Sequence, residues 1–134
     1  MIDLSGKKGL VVGVANEHSI AAGCAFSFHK AGAELALTYL NEKAKPFAAP
    51  VASAVSARIF EPLDVEEDGA LESLFERIRS EWGKLDFVLH SIAYCPKDDL
   101  QGRVVDCSRE GFAQAMDISV HSFLRMARLA EPLM

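Results

Sequence analysis

Cysteine is scarce in this 134-residue sequence: Cys24, Cys95 and Cys107 are the whole set, and they form no C-x-x-C pair. An odd number at unrelated spacings indicates neither a disulfide framework nor a zinc site, so they read as free thiols and no metal ligand is assigned. Runs of Lys and Arg are missing as well. With 14 basic and 19 acidic residues the net charge is -5, and a nucleic-acid partner is excluded for want of a basic surface. No apolar stretch approaches the roughly twenty residues of a membrane span. The first residues, Met1-Ile2-Asp3-Leu4-Ser5-Gly6, lack the charged and apolar regions of a secretory signal, so a cytoplasmic protein with no membrane span is expected. Low-complexity linkers and internal repeats are also absent.

What the sequence does contain is a regular alternation of strand and helix signals with short connections, the pattern of a parallel sheet covered by helices on both faces. Leu10 to Val14 reads as the first strand, and a helical stripe through Ile20, Cys24 and Phe28 follows it and ends at Gly32. Glu34 to Tyr39 is the second strand. Asn41 to Ser56 reads as a helix in which Pro46 suits the start while Pro50 should kink or shorten it. Arg58 to Leu63 is the third strand. Leu71, Leu74, Phe75, Ile78 and Trp82 mark a helix closed by Gly83, and Leu85 to His90 reads as a fourth strand buried on both faces. A long helix, capped by Ser108, then runs to about Leu133. Four β-α units in this order predict an α/β, three-layer, doubly wound Rossmann-type fold, represented by its N-terminal portion. Because the last helix would leave an apolar face uncovered, residues 1–134 are expected to be the N-terminal part of a single dinucleotide-binding domain whose remainder lies downstream.

Ligands of such folds sit beyond the carboxyl ends of the strands, so the residues that follow each strand are the candidates. In Gly13-Val14-Ala15-Asn16-Glu17-His18-Ser19-Ile20-Ala21 a strand turns at Gly13 into a helix opening near Ser19. A glycine there permits close backbone approach, and the helix start offers free N–H groups to a pyrophosphate. Ala15 stands where the usual G-x-G-x-x-G has its second glycine. After the second strand come Leu40, Asn41 and Glu42, with neither a carboxylate nor an arginine directly at the strand end. Glu42 and Lys43 read as a solvated helix start, and the lack of a basic pair favours NAD over NADP. Asp64-Val65 offers a carboxylate beside an N–H, suited either to an adenine or to capping the next helix. After the fourth strand, His90 reads as a satisfied core residue and Cys95 as a packed thiol without a partner base.

Gly13-Val14-Ala15, Ser19-Ile20-Ala21, Asp64-Val65, His90-Ser91-Ile92-Ala93 and Asp117-Ile118-Ser119, in this order and spacing, resemble the NADH-dependent enoyl-(acyl-carrier-protein) reductases of bacterial type II fatty-acid synthesis, a divergent branch of the short-chain dehydrogenases/reductases. The resemblance runs from Leu4-Ser5-Gly6-Lys7 to the final helix. It implies that Gly13, Ser19 and Ile20 line the pyrophosphate and ribose of NADH, and that position 40 lies near the adenosine. It further implies that Asp64 and Val65 hold adenine, that Ile92 packs near the cofactor, and that the backbone at Cys95 touches substrate. Leu40 departs from the polar residue common at its place, which leaves van der Waals contact only. The implied reaction reduces the trans-2 double bond of an enoyl thioester carried on acyl carrier protein. Its catalytic Tyr and Lys lie, in the family, beyond the long helix that ends this sequence, so no catalytic residue is assigned and the 134 residues alone should not turn over. A homotetramer is implied as well, with the long helix between subunits. Another reductase of the superfamily and a nucleotide-binding module without chemistry are the alternatives.

Overall fold

In the computed structural model, which describes residues 2–134, four strands form one parallel sheet: β1 (Lys8–Val12), β2 (Glu34–Tyr39), β3 (Ile59–Pro62) and β4 (Phe87–His90). Their spatial order is β3-β2-β1-β4. Leu10 pairs with Ala36 on one side and Val88 on the other. The chain therefore steps outward from β1 to β3 and returns across β1 to lay down β4, which makes the gap between β1 and β4 the point where the winding reverses. That is where doubly wound folds hold their ligands.

Successive residues of a strand point to opposite faces, and β1 divides accordingly. Val11 joins Leu35 and Leu37 of β2 under helices α1 (Ile20–Lys30) and α2 (Lys45–Ala54). Small side chains at Ala21, Ala22, Ala25 and Ala48, all buried, let these helices lie close to the sheet. On the other face Leu10 and Val12 join Leu71, Leu74 and Ile78 of α3 (Ala70–Trp82) and Met126 and Ala130 near the end of the chain. Helices on both faces give the expected three layers. A short helix α4 (Lys97–Leu100) leads to α5 (Arg109–Met116), a π-helical turn at Asp117–His121, and α6 (Ser122–Ala130).

Three expectations are corrected. β4 is half-buried, not buried on both faces, because it is an edge strand of the sheet among the described residues. Pro50 does not cut α2 short at its own position: the helix runs on to Ala54, with Pro50 exposed and only one intrahelical donor lost. The long helix is not one regular α-helix, since a π-helical turn at Asp117–His121 interrupts it. At its middle Ser122 Oγ donates to the Ile118 carbonyl at 2.6 Å, a side chain competing with the main-chain ladder where the turn widens. Ile118, Ser122, Met126 and Ala130 of this segment face the core, while Phe112, Met116, Val120, Phe123 and Leu124 are exposed on its outer side.

Candidate functional site

The turn after β1 is fastened from below by β2. Gly13 N donates to Thr38 Oγ1 at 3.2 Å and Val14 N to the Thr38 carbonyl at 2.9 Å, so the first two amides of the turn are engaged by the protein itself. Asn16 organises the rest: its side-chain oxygen accepts from His18 N and its carbonyl from Ser19 Oγ at 2.7 Å. Ser19 is the N-cap of α1, as its sequence position predicts, accepting from Ala22 N at 3.2 Å. The helix then presents the amides of Ile20 and Ala21, which have no acceptor among the described residues, at the positive end of its dipole. The Ile20 side chain is exposed.

Above the carboxyl ends of the strands lies a cleft of about 830 Å³. Of the residues singled out from the sequence, Gly13, Leu40, Asp64, Val65 and Ile92 line it. Ser19, Ile20 and Cys95 lie outside its lining: Ser19 and Ile20 open α1, and half-buried Cys95 follows Tyr94 in the segment after β4. Asp64 does not cap α3, whose N-cap is Gly69. Its Oδ1 accepts from Glu66 N at 3.0 Å within a tight turn, with the residue exposed toward the cleft. Glu42 and Lys43 are exposed just before α2, as read; Lys43 also lines the cleft, and Glu42 pairs with Lys45 and accepts from the Tyr39 hydroxyl. Asn16, Asn41 and Tyr94, which stand in strand-end segments legible in the sequence, line it too, as do Phe47 and Gln114. Asn41 and Phe47 follow β2 and were open to the strand-end rule; Gln114, on α5, carried no local signal.

The segment after β4 is pinned to the long helix. Ser119 Oγ accepts from Tyr94 N at 3.0 Å and donates to the Tyr94 carbonyl at 3.3 Å, using both capacities of one hydroxyl. One residue before that segment, His90 Nε2 lies 2.8 Å from Ser122 Oγ. Because Ser122 gives its own proton to Ile118, His90 must be the donor, which assigns the Nε2–H tautomer. Burial holds the His90 pKa below the usual histidine value. The unfolded chain then binds a proton that the folded one resists, so the His90 contribution to stability is complete above about pH 6.5 and is lost as pH falls through that value toward the folded pKa. Urea titrations of the wild type and His90→Gln across this range check it: the difference between them should vanish in slope only above that pH, and parallel curves throughout contradict it.

The amides at the α1 terminus, a carboxylate and a buried valine after β3, and an apolar wall from Leu40 and Ile92 suit a dinucleotide: phosphates at the helix start, a polar-edged aromatic base beside Asp64. No cluster of metal-ligating side chains occurs among the described residues.

Comparison with known proteins bears on this arrangement directly. The family model described as enoyl-(acyl carrier protein) reductase matches residues 13–134. Among curated relatives, the enoyl-(acyl-carrier-protein) reductase (NADH) of Aquifex aeolicus is 45% identical over 131 residues, covering 98% of this chain and 48% of its own length. One of the enzymes so named in Rhizobium meliloti is 42% identical with the same coverage. Among solved structures, the reductase of Anaplasma phagocytophilum in complex with NAD superposes with a TM-score of 0.93 at 42% identity, over 99% of this chain and 51% of that one. The chain thus spans about half the length of the relatives it matches. The cleft at the winding reversal, a match running from Gly13 to the final residue, and identities above 40% agree: the chain belongs to the enoyl-(acyl carrier protein) reductase family.

Proposed function

We propose that this chain forms the adenosine and pyrophosphate side of an NADH site in an enoyl-(acyl-carrier-protein) reductase that reduces the trans-2 double bond of enoyl thioesters. The observation that carries the reading is the convergence of Gly13, Leu40, Asp64, Val65 and Ile92 on one cleft at the strand ends, with the amides of Ile20 and Ala21 left without acceptors at the start of α1. In this reading Ile20 and Ala21 hold the phosphates through the main chain, with Ser19 fixing the helix start. Asp64 accepts from the adenine amino group and the Val65 amide faces a ring nitrogen. Leu40 and Ile92 supply apolar contact, and the backbone at Cys95 borders the substrate.

NADH, when bound, supplies the hydride. The residues of this chain then hold and orient the cofactor, keeping its reactive end at the segment Ser91 to Pro96. Catalysis selects donors aimed at charge that appears only as hydride moves; no residue of this chain is assigned that role. The exposed apolar side of the long helix, with Phe112, Val120 and Phe123, supports a homotetramer packed through this helix. No helix among the described residues is long and apolar enough to cross a membrane, which supports the inference of a cytoplasmic protein.

Calorimetric titration of NADH into the complete gene product tests the reading. Asp64→Ala is expected to weaken binding by about 5–10-fold, the size of one net hydrogen bond to a buried-edge base. Unchanged affinity rejects the adenine assignment. Failure of the wild type to consume NADH with a crotonyl thioester rejects the reaction.

A further inference from the structure

Arg125 reaches from α6 to the segment after β3, where its Nη1 donates to the Val65 carbonyl at 2.8 Å. The two residues are sixty positions apart, and both are at least partly buried. Arg58, Arg77, Arg79 and Arg103 pair with carboxylates on the surface, whereas the bond of Arg125 is to a main-chain oxygen at the wall of the cleft.

The peptide that Arg125 grips also holds Asp64. The Val65 carbonyl and the Glu66 N–H belong to one planar unit, so fixing the oxygen fixes the direction of the hydrogen on its far side. That hydrogen is the one donated to Asp64 Oδ1 at 3.0 Å. A cationic donor on the carbonyl also polarises the peptide and strengthens its N–H as a donor. A second tether lies one residue on, where Gln114 Nε2 donates to Glu66 Oε1 at 3.0 Å. The long helix thus grips residues 65 and 66 from two of its turns.

We propose that Arg125 is a positioning residue for the base end of the cofactor site: it orients the 65–66 peptide, and through it the Asp64 carboxylate. The proposal rests on the NADH reading above. It links base recognition to the long helix, whose Gln114 and Ile118 also line the cleft.

The test uses the complete gene product and three probes, NADH, AMP and nicotinamide mononucleotide, titrated into the wild type, Arg125→Met and Arg125→Lys. Arg125→Met keeps the apolar stem and removes the donor. It is expected to weaken AMP and NADH by about 5–10-fold, the effect of a charge-assisted bond acting at one remove, and to leave nicotinamide mononucleotide unchanged. Arg125→Lys, which retains one charged donor, should recover most of the AMP affinity. A merely structural role would weaken both mononucleotides together. Equal loss of both, or wild-type AMP affinity in Arg125→Met, overturns the proposal while leaving the cofactor reading intact. A wild type that binds neither AMP nor NADH overturns both.

Discussion

Gly13→Ala lowers the unfolding free energy by about 3 kcal/mol, several times the loss at Gly69→Ala, with urea denaturation of the two variants as the measurement. Both glycines have positive φ, +98° and +79°, so each substitution forces an L side chain into backbone it avoids. Only that strain applies at Gly69, where an added Cβ meets nothing within 4 Å. At about 1 kcal/mol, it is partly offset by the lower entropy of the unfolded alanine chain. At Gly13 the added carbon would run into the Ser91 carbonyl and come within 2.6 Å of Ile92 Cγ2. Ser91 cannot yield easily, because its amide continues the sheet ladder to the Val12 carbonyl at 3.0 Å. Relief therefore requires parting β1 from the segment after β4, and that opening spreads the floor of the cleft. NADH affinity should fall with stability in this variant and not in Gly69→Ala. Equal losses in the two proteins would show that the contact with Ser91 is soft.

The same position shows how far a sequence can be read and for what reason. Gly13 was legible as a turn glycine, and the expected purpose was close approach of a ligand. The cleft does border it, but the atoms that forbid a side chain there belong to Ser91 and Ile92, nearly eighty residues later in the chain. A motif reports that the backbone must be bare; it does not report what comes near. Leu40, Asp64, Val65 and Ile92 were legible for a simpler reason, since strand ends can be located from apolar runs and a parallel sheet collects its strand ends on one side. Ser19 and Ser108 were legible because a cap is a local event within three residues.

What escaped is which distant segments the long helix holds. Gln114, Ser119 and Arg125 reach segments 25 to 60 residues away. Nothing at short range distinguishes them from solvent-facing polar residues. The π-helical turn is hidden for the same reason, because Ser122 is held between Ile118 and His90, and the His90 half of that arrangement is tertiary. The burial of β4 depends on its neighbours in the same way: a run of Phe87, Val88 and Leu89 describes a strand that suits burial on both faces, and among the described residues only β1 stands beside it.

Leu10→Ala should cost about 3–5 kcal/mol, and Leu100→Ala within about 0.5 kcal/mol of nothing, a contrast readable from thermal melts at roughly 4 °C per kcal/mol. Leu10 is fully buried on the central strand β1, against Leu71, Leu74 and Met126 and between Ala36 and Val88 across the ladder. Its surroundings are a hydrogen-bonded sheet and two helices, none of which can collapse into the space left, so the cavity term adds to the lost transfer energy. Leu100 ends the short helix α4, 69% exposed, and its truncation opens no cavity. The two large losses should then part company when NADH is added. Ligand at a hundredfold its dissociation constant stabilises the folded state by about 2.7 kcal/mol, which would return most of what Leu10→Ala removes because that residue lies beneath the site and not in it. Gly13→Ala should regain far less, since its strain is released by opening the surface on which the ligand must rest. Full rescue of Gly13→Ala by NADH would mean that the turn after β1 and the cofactor do not share that surface, and that the phosphates are held elsewhere.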